Sequence, residues 1–220
     1  MRTALSGLSV ARPRTLAQAL KLMQGDAGGT RPTPLAGGTD LLVYLNAGTH
    51  PGQAFIDLWG LREIEGVRVG ARGVTLGALT TFTTIREHAA LRRRFPALTA
   101  AAAEVGARQI QNRATVAGNI ANASPAGDSL PALMALDAII RVRSLRGERD
   151  IPMGALYRGY RDLALSPDEL ITAVGVPFAP PRSGLLPAPR FELAIGVRMR
   201  EREGALIDDG VQQIEVVVRK

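Results

Sequence analysis

The sequence predicts an α+β fold, in one large domain or two small lobes of a 220-residue chain. Apolar residues recur at helical spacing over residues 14–24. Residues 64–79 instead alternate apolar and polar side chains around a turn at 71–73, which is typical of a β-hairpin. A nearly continuous apolar run at 170–176, closed by a proline, is typical of a buried strand.

The N-terminal part of the chain is predicted to alternate between helix and strand. The helix at 14–24 ends at Gly25. A short strand at 34–36 then turns sharply into a helix that begins at Leu41. Another short strand is predicted at 55–58.

The remaining elements follow the same two patterns. Helices are predicted at 85–91, 96–105, 130–136 and 152–158, and strands at 138–142 and 214–218, the last with a partner near Ile207. Residues 110–128 are rich in glycine, asparagine and alanine and show neither period, so we expect packed irregular structure there. Five prolines between 177 and 189 predict a lobe boundary or linker.

The composition excludes several classes of function. There is no cysteine, so these residues hold no disulfide, thiolate nucleophile or iron–sulfur cluster, and two histidines are too few for a histidine metal centre. The net charge of +7 invites a nucleic-acid partner, but the charge is scattered and aromatics make up only 4 %, so none is predicted. No apolar run reaches the roughly 20 residues that span a bilayer, and no secretory signal is evident. We therefore expect a cytoplasmic protein without membrane insertion.

The turn LAGGTD, residues 35–40, is the first candidate site. Gly37 and Gly38 allow positive φ and let backbone N–H groups converge on one point, which is how a turn binds phosphate oxygens. Thr39 can add a hydroxyl donor, and we expect the Asp40 carboxylate to turn back and cap the next helix. A plain Gly-Gly turn without a ligand is the alternative. Neither GxGxxG nor GxxxxGK[ST] occurs, which argues against the usual nicotinamide and nucleoside-triphosphate loops.

The stretch TVAGNIANASPAGD, residues 115–128, is the second candidate site. Its small residues would let the backbone approach a flat ligand closely. Five side chains offer hydrogen bonds, those of Thr115, Asn119, Asn122, Ser124 and Asp128. The alternative is a connection whose asparagines satisfy its own backbone.

The two stretches together resemble a known family. LAGGTDLL at 35–42 and RATVAGNIANASPAGDSLPALMALDA at 113–138 are similar to the FAD-binding (medium) subunit of molybdenum hydroxylases, which include carbon monoxide dehydrogenase, xanthine dehydrogenase and aldehyde oxidoreductase flavoproteins. RPRTLAQALKLM near the start and SPDELITAVGVP at 166–177 fit as well. The resemblance implies a two-lobed FAD-binding domain, with a small α/β lobe and a larger lobe of mainly antiparallel sheet with flanking helices.

The resemblance also implies which residues contact the cofactor. From the first motif these are Leu35, Ala36, Gly37, Gly38, Thr39, Asp40 and Leu41, around the pyrophosphate. From the second they are Thr115, Val116, Ala117, Gly118, Asn119, Ala121 and Asn122. Asp128 would accept a hydrogen bond from a hydroxyl or ring N–H of FAD, and Ile171 would add an apolar contact. Because neither His50 nor His88 lies in a motif, the flavin is expected to be noncovalent, and no catalytic residue is implied.

The function implied is an oxidoreductase subunit for electron transfer. A molybdopterin-binding large subunit would hydroxylate the substrate, and a small subunit with [2Fe–2S] clusters would relay electrons to the FAD, which passes them to an external acceptor. The alternatives are a cofactor-free assembly scaffold derived from that subunit and a stand-alone flavoenzyme of the same fold.

The resemblance divides the chain into three parts. Residues 1–58 would form the first FAD-binding lobe, 59–178 the second, and 179–220 a linker with the remnant of a C-terminal domain. Members of the family usually continue further and carry a lysine in a phenylalanine-containing stretch, whereas here Phe191 is followed by Glu-Leu-Ala and the chain ends at Lys220. This departure from the family pattern leaves three expectations open: a naturally shortened C-terminal domain, a fragment of a longer chain, or a sequence altered near its end.

Overall fold

The computed structural model describes residues 7–25 and 31–178, which all lie in one compact unit, Met1–Ser183. A small parallel sheet is built from β1 (Ser9–Ala11), β2 (Thr33–Leu35) and β3 (Ala54–Asp57). β3 lies in the middle and pairs in parallel with both neighbours. Two helices accompany this sheet, α1 (Leu16–Leu22) and α2 (Leu41–Ala47). Thr15 caps α1, its hydroxyl accepting a hydrogen bond from the Gln18 N–H at 3.2 Å.

A larger antiparallel sheet follows. In chain order its strands are β4 (Val67–Val69), β5 (Gly73–Gly77), β6 (Ile139–Ser144), β7 (Gly147–Pro152) and β10 (Leu170–Pro177). Between β7 and β10 the chain forms a separate small hairpin of β8 (Tyr157–Gly159) and β9 (Asp162–Leu163). The spatial order is β4-β5-β10-β6-β7. β10, the last strand among the described residues, is therefore central, which explains why its first five residues are all buried whereas β6 alternates exposed and buried.

Six helices connect β5 to β6 and carry much of the core. They are α3 (Phe82–Glu87), α4 (Ala89–Arg94), α5 (Pro96–Glu104), α6 (Arg108–Gln111), α7 (Val116–Asn122) and α8 (Ser129–Ala135). α7 packs against β10. Single 3-10 turns occur at Arg62–Ile64 and Met153–Ala155. One apolar cluster joins side chains of α1, both sheets and the connecting helices, among them Leu20, Ile56, Phe82 and Ile140.

The α+β class is confirmed, and the described residues contain a small parallel sheet and a larger antiparallel sheet. The hairpin at 64–79 is present as β4 and β5. The predicted helix over 85–91 is interrupted at His88, whose extended ψ of 117° separates α3 from α4. The bounds at residues 58 and 178 stay predictions, and the features expected beyond residue 178 lie outside the described residues.

Two predictions of local structure were wrong. Residues 110–128 are not irregular, because they contain the end of α6 and all of α7. α7 is only seven residues long and made mostly of small side chains, so it shows no apolar period, and its ends are set by Thr115 at the start and a left-handed Ala123 at the finish. The helix expected at 152–158 is instead a single 3-10 turn followed by β8. This segment follows directly from β7, a strand that we did not predict from the sequence.

Candidate functional site

The Gly-Gly turn, residues 36–40, joins β2 to α2 at the carboxyl edge of the parallel sheet. Gly38 has a φ of +76°, a conformation that strains any residue with a side chain. The backbone N–H groups of Gly37, Gly38, Thr39 and Asp40 meet no acceptor among the described residues. Four unpaired donors in one tight turn are suited to an anionic group such as a phosphate.

The expected helix cap by Asp40 was wrong. Asp40 has helical backbone angles, φ −88° and ψ −42°, and its side chain makes no cap hydrogen bond. A capping carboxylate needs an extended backbone at this position to reach the N–H groups of the helix, and Asp40 does not have one. Its side chain is exposed instead.

The second motif begins at the start of α7, where the backbone donors are already bonded. The Thr115 hydroxyl accepts from the Gly118 N–H at 3.1 Å. The Val116 N–H donates to the Thr80 carbonyl at 2.9 Å, and the Ala117 N–H to the Ala78 carbonyl at 3.3 Å. The two motifs therefore differ: the first offers free N–H groups, and the second offers a surface of small residues and side-chain groups.

The two motifs touch through Gly37. A Cβ at this position would lie 1.9 Å from the carbonyl oxygen of Arg113 and 3.1 Å from the Ala114 nitrogen. Only glycine allows the turn to approach the chain just before Thr115 this closely. Gly37 is thus needed for the close contact between the motifs, and Gly38 for the positive φ of the turn.

A chain of hydrogen bonds joins α2, which follows the first motif, to α7, which lies within the second. The Tyr44 hydroxyl, on α2, donates to the Asn122 side-chain oxygen, on α7, at 3.1 Å. Both terminal nitrogens of Arg161, in the turn between β8 and β9, donate to the same hydroxyl at 3.2 Å. Arg161 has a left-handed φ of +53°, which costs a non-glycine residue about 1 kcal/mol, so the surrounding contacts must stabilise it. Tyr157, on β8, also binds α7 by donating to the Ile120 carbonyl at 3.1 Å, and burial raises the pKa of its phenol.

Asn119 and Asp128 have different environments. The Asn119 side-chain oxygen accepts from the Ser129 hydroxyl at 2.6 Å, so part of its hydrogen-bonding capacity is used within the chain. Asp128 is half-buried and no ion pair or side-chain partner for it occurs among the described residues. Burial raises the pKa of this carboxyl, and Glu104 adds to the rise. A hydrogen bond from a ligand to the Asp128 carboxylate would therefore favour its ionised form.

The other predicted residues differ in how much surface they present. Val116 has no exposed surface, and Ile171 is 5 % exposed within β10, beside Val142 of β6. Leu35, Ala36, Thr39, Leu41, Gly118 and Asn122 are half-buried, Ala121 is exposed, and Thr115 and Ala117 are buried. In this conformation Val116 packs in the core, and its contact with a cofactor, like those of the other members of the set, stays a prediction.

Sequence reasoning missed a pair of residues beside the turn, Trp59 and Arg113. The Arg113 guanidinium carbon lies 3.6 Å from the centroid of the Trp59 ring, a close cation–π contact. Trp59 follows the end of β3 and donates its backbone N–H to Asp57 at 3.0 Å. A signal existed, since Trp59 is the only tryptophan of the chain and directly follows a predicted strand, but its partner lies 54 positions away and no local pattern links them.

Two surface cavities in the described part of the chain share no residue with either motif. One, of about 460 Å³, is lined by Arg86, Glu87, Arg92, Pro96, Thr99 and Ala100. The other, of about 370 Å³, is lined by Ala11, Arg12, Pro13, Gln18, Lys21 and Leu22. Within residues 7–25 and 31–178, no cluster of three or more acidic or histidine side chains could hold a metal ion. In the same residues, no helix has both the length and the apolar character that crossing a bilayer requires.

Comparison with known proteins places these motifs in a family. The family of the FAD binding domain in molybdopterin dehydrogenase matches residues 6–179. The nicotinate dehydrogenase FAD-subunit of Eubacterium barkeri is 37 % identical over 165 residues, covering 74 % of this chain and 55 % of the relative. The xanthine dehydrogenase FAD-binding subunit of Escherichia coli O157:H7 is 34 % identical over 170 residues, covering 77 % and 57 %.

Solved structures agree with the sequence comparison. Reconstituted CO dehydrogenase from Oligotropha carboxidovorans superposes with a TM-score of 0.75 at 25 % identity, over 82 % of this chain and 61 % of the other. The chain therefore spans less than two thirds of the length of these relatives. Because the family matches nearly all of the described residues, the chain belongs to the FAD-binding domains of molybdopterin dehydrogenases.

Proposed function

We propose that this domain binds FAD without a covalent bond and acts as the electron-transfer subunit of a molybdenum hydroxylase. The observation that carries the proposal is the contact of the two motifs at Gly37, with four unpaired N–H groups on the turn beside it. The pyrophosphate of FAD carries two negative charges and needs such donors, so the residues present fit this part of the cofactor.

The chain's own residues would divide the work of binding. The Gly-Gly turn would hold the pyrophosphate through backbone N–H groups. The small residues at Gly118 and Ala121 would let the cofactor approach α7, and Asp128 would accept a hydrogen bond from it. Bound FAD would supply the redox chemistry, while the protein positions it and tunes its surroundings.

Noncovalent binding is supported by where the histidines lie. His50 precedes β3, at the amino edge of the parallel sheet, and its ring nitrogen Nδ1 accepts from the Gly52 N–H at 3.0 Å. The Gly-Gly turn follows the opposite, carboxyl edge. His88 separates α3 from α4 and belongs to neither motif.

We further propose that the electrons reach this FAD from [2Fe–2S] clusters of a partner subunit and that substrate is oxidised on a molybdopterin subunit. These 220 residues contain no cysteine and cannot supply the thiolates of such clusters. The name of a further relative supports an assembly of several chains: the 6-hydroxypseudooxynicotine dehydrogenase complex subunit alpha of Paenarthrobacter nicotinovorans is 32 % identical over 157 residues.

The cofactor proposal is tested by incubating the purified chain with FAD, removing the excess and recording the absorbance spectrum. We expect flavin bands, and after acid precipitation the yellow colour should move to the supernatant. Colour that remains in the pellet would contradict noncovalent binding. A chain that retains no flavin at all would support the assembly scaffold instead.

The subunit proposal is tested by coexpression with the genes that neighbour this one. We expect copurification with a molybdopterin subunit and a cysteine-rich ferredoxin-like subunit, and no turnover of purines, aldehydes or carbon monoxide by the flavin-loaded chain alone. Turnover by the isolated chain would identify a stand-alone flavoenzyme.

A further inference from the structure

The Arg113 guanidinium is held by a ring contact without being neutralised by a carboxylate among the described residues. It stacks on the Trp59 ring at 3.6 Å. The Arg113 side chain is exposed, and it makes no ion pair or hydrogen bond with any described residue. Stacking uses the face of the guanidinium and leaves the N–H groups at its edge available for a ligand.

The fold brings this cation to the Gly-Gly turn. β2 and β3 run in parallel with Leu35 opposite Asp57, and the Leu58 N–H donates to the Leu35 carbonyl at 2.9 Å. Trp59 and Gly37 therefore both follow the same edge of the sheet, each two residues beyond its strand. Arg113 touches both positions, with its backbone carbonyl against Gly37 and its side chain on Trp59.

Arg113 pairs with no carboxylate among the described residues, unlike Arg12 at the same edge of the sheet. Arg12 lies 3.4 Å from Asp57 and forms an ion pair with it. Asp40, in the turn itself, is exposed and adds negative charge where a phosphate would have to bind. An anion on the turn thus needs a nearby cation to offset Asp40, and backbone donors carry no net charge.

We propose that Arg113, oriented by Trp59, binds the pyrophosphate of the cofactor. This inference rests on the proposed function and adds a residue to it. The four N–H groups of the turn hold one side of the pyrophosphate, and the planar guanidinium approaches the phosphate oxygens from the direction of Trp59. The contact makes the site selective for flavin that carries a pyrophosphate-linked nucleotide.

The position of the only tryptophan provides a direct assay. Adenosine diphosphate carries the pyrophosphate but no flavin, so it cannot quench tryptophan emission by energy transfer to an isoalloxazine. Its binding should still give a saturable change in Trp59 emission, because the charge stacked on the ring is then shared with the ligand.

The test compares the full chain with Arg113→Gln, Arg113→Lys and the control Arg93→Gln, which removes an equal charge from an exposed position on α4. Calorimetry gives the dissociation constants of FAD and adenosine diphosphate, and circular dichroism checks the fold. We expect Arg113→Gln to weaken both ligands about 10-fold to 100-fold, the loss of charge-assisted hydrogen bonds. Arg113→Lys should be intermediate because it keeps the charge but not the planar fork, and the control should match the parent.

A second variant, Trp59→Leu, removes the stacking partner and keeps Arg113. It should weaken FAD less than Arg113→Gln does. Parent-like affinity for both ligands in Arg113→Gln, or failure of adenosine diphosphate to bind the parent chain that does bind FAD, would overturn the assignment of Arg113. Failure of the parent chain to bind FAD at all would instead refute the proposed function.

Discussion

Replacing Gly37 by alanine tests whether the contact between the motifs creates the site. The added Cβ would lie 1.9 Å from the Arg113 carbonyl oxygen, whereas Cβ atoms essentially never approach a neighbour closer than 3.0 Å. The two backbones would have to separate by about 1.1 Å at least, and because the nearest atoms are main-chain, no side-chain rotation relieves the overlap.

The magnitude follows from the cost of overpacking. Forcing extra volume into a close contact typically costs about 1–3 kcal/mol, and we expect the free energy of unfolding to fall by this amount. Because the ligand would need both motifs in place, part of the same cost would appear again as a weaker affinity, and we expect FAD binding to weaken about tenfold or more.

The assay combines urea unfolding with titration of FAD into the folded protein. The matched control is Gly154→Ala, where the nearest atom to the added Cβ is the Met134 sulfur at 3.8 Å, an ordinary contact. The control should change the free energy of unfolding by less than about 0.5 kcal/mol. A Gly37→Ala protein with the stability and the FAD affinity of the parent would refute the reasoning, since the motifs would then not depend on this contact.

Two further predictions concern carboxylates. Burial raises the pKa of Asp128, so its ionised form destabilises the folded, ligand-free domain. Asp128→Asn should therefore raise the free energy of unfolding at pH 7 relative to the parent, and this gain should disappear as the pH falls below about 4. Equal differences between variant and parent at both pH values would contradict this. Burial alone would raise the pKa of Asp168, but two hydrogen bonds from Arg146, at 2.6 and 2.9 Å, hold it below the ordinary value. Asp168→Asn should lower the free energy of unfolding by about 1–3 kcal/mol at pH 7, and by progressively less as the pH falls through that lowered pKa. The control Asp162→Asn breaks an exposed pair with Arg158 and should lower it by less than about 1 kcal/mol. Equal losses for the two variants in urea unfolding would show that burial of Asp168 does not matter.

The sequence by itself determined the local elements with strong patterns. The hairpin at 64–79, the helix at 14–24 and the strand at 170–176 are recognisable because their apolar patterns depend only on neighbouring residues. Both glycine-rich motifs, and through their resemblance the family, were also legible in the residues, since the motifs are contiguous. The family was then confirmed by the match to residues 6–179.

Only the tertiary structure decided how those motifs form a site. It showed that Gly37 lies against the Arg113 carbonyl and that the first N–H groups of α7 are hydrogen-bonded within the chain. It also showed that the Trp59 ring stacks on the guanidinium of Arg113, 54 residues away in the sequence. None of these relations has a local signature, because each depends on which strand edges and helix ends the fold brings together. The α7 helix was missed for a related reason: at seven residues it is too short for a period to show, and its start is stabilised by carbonyls of Thr80 and Ala78 that lie far away in the sequence.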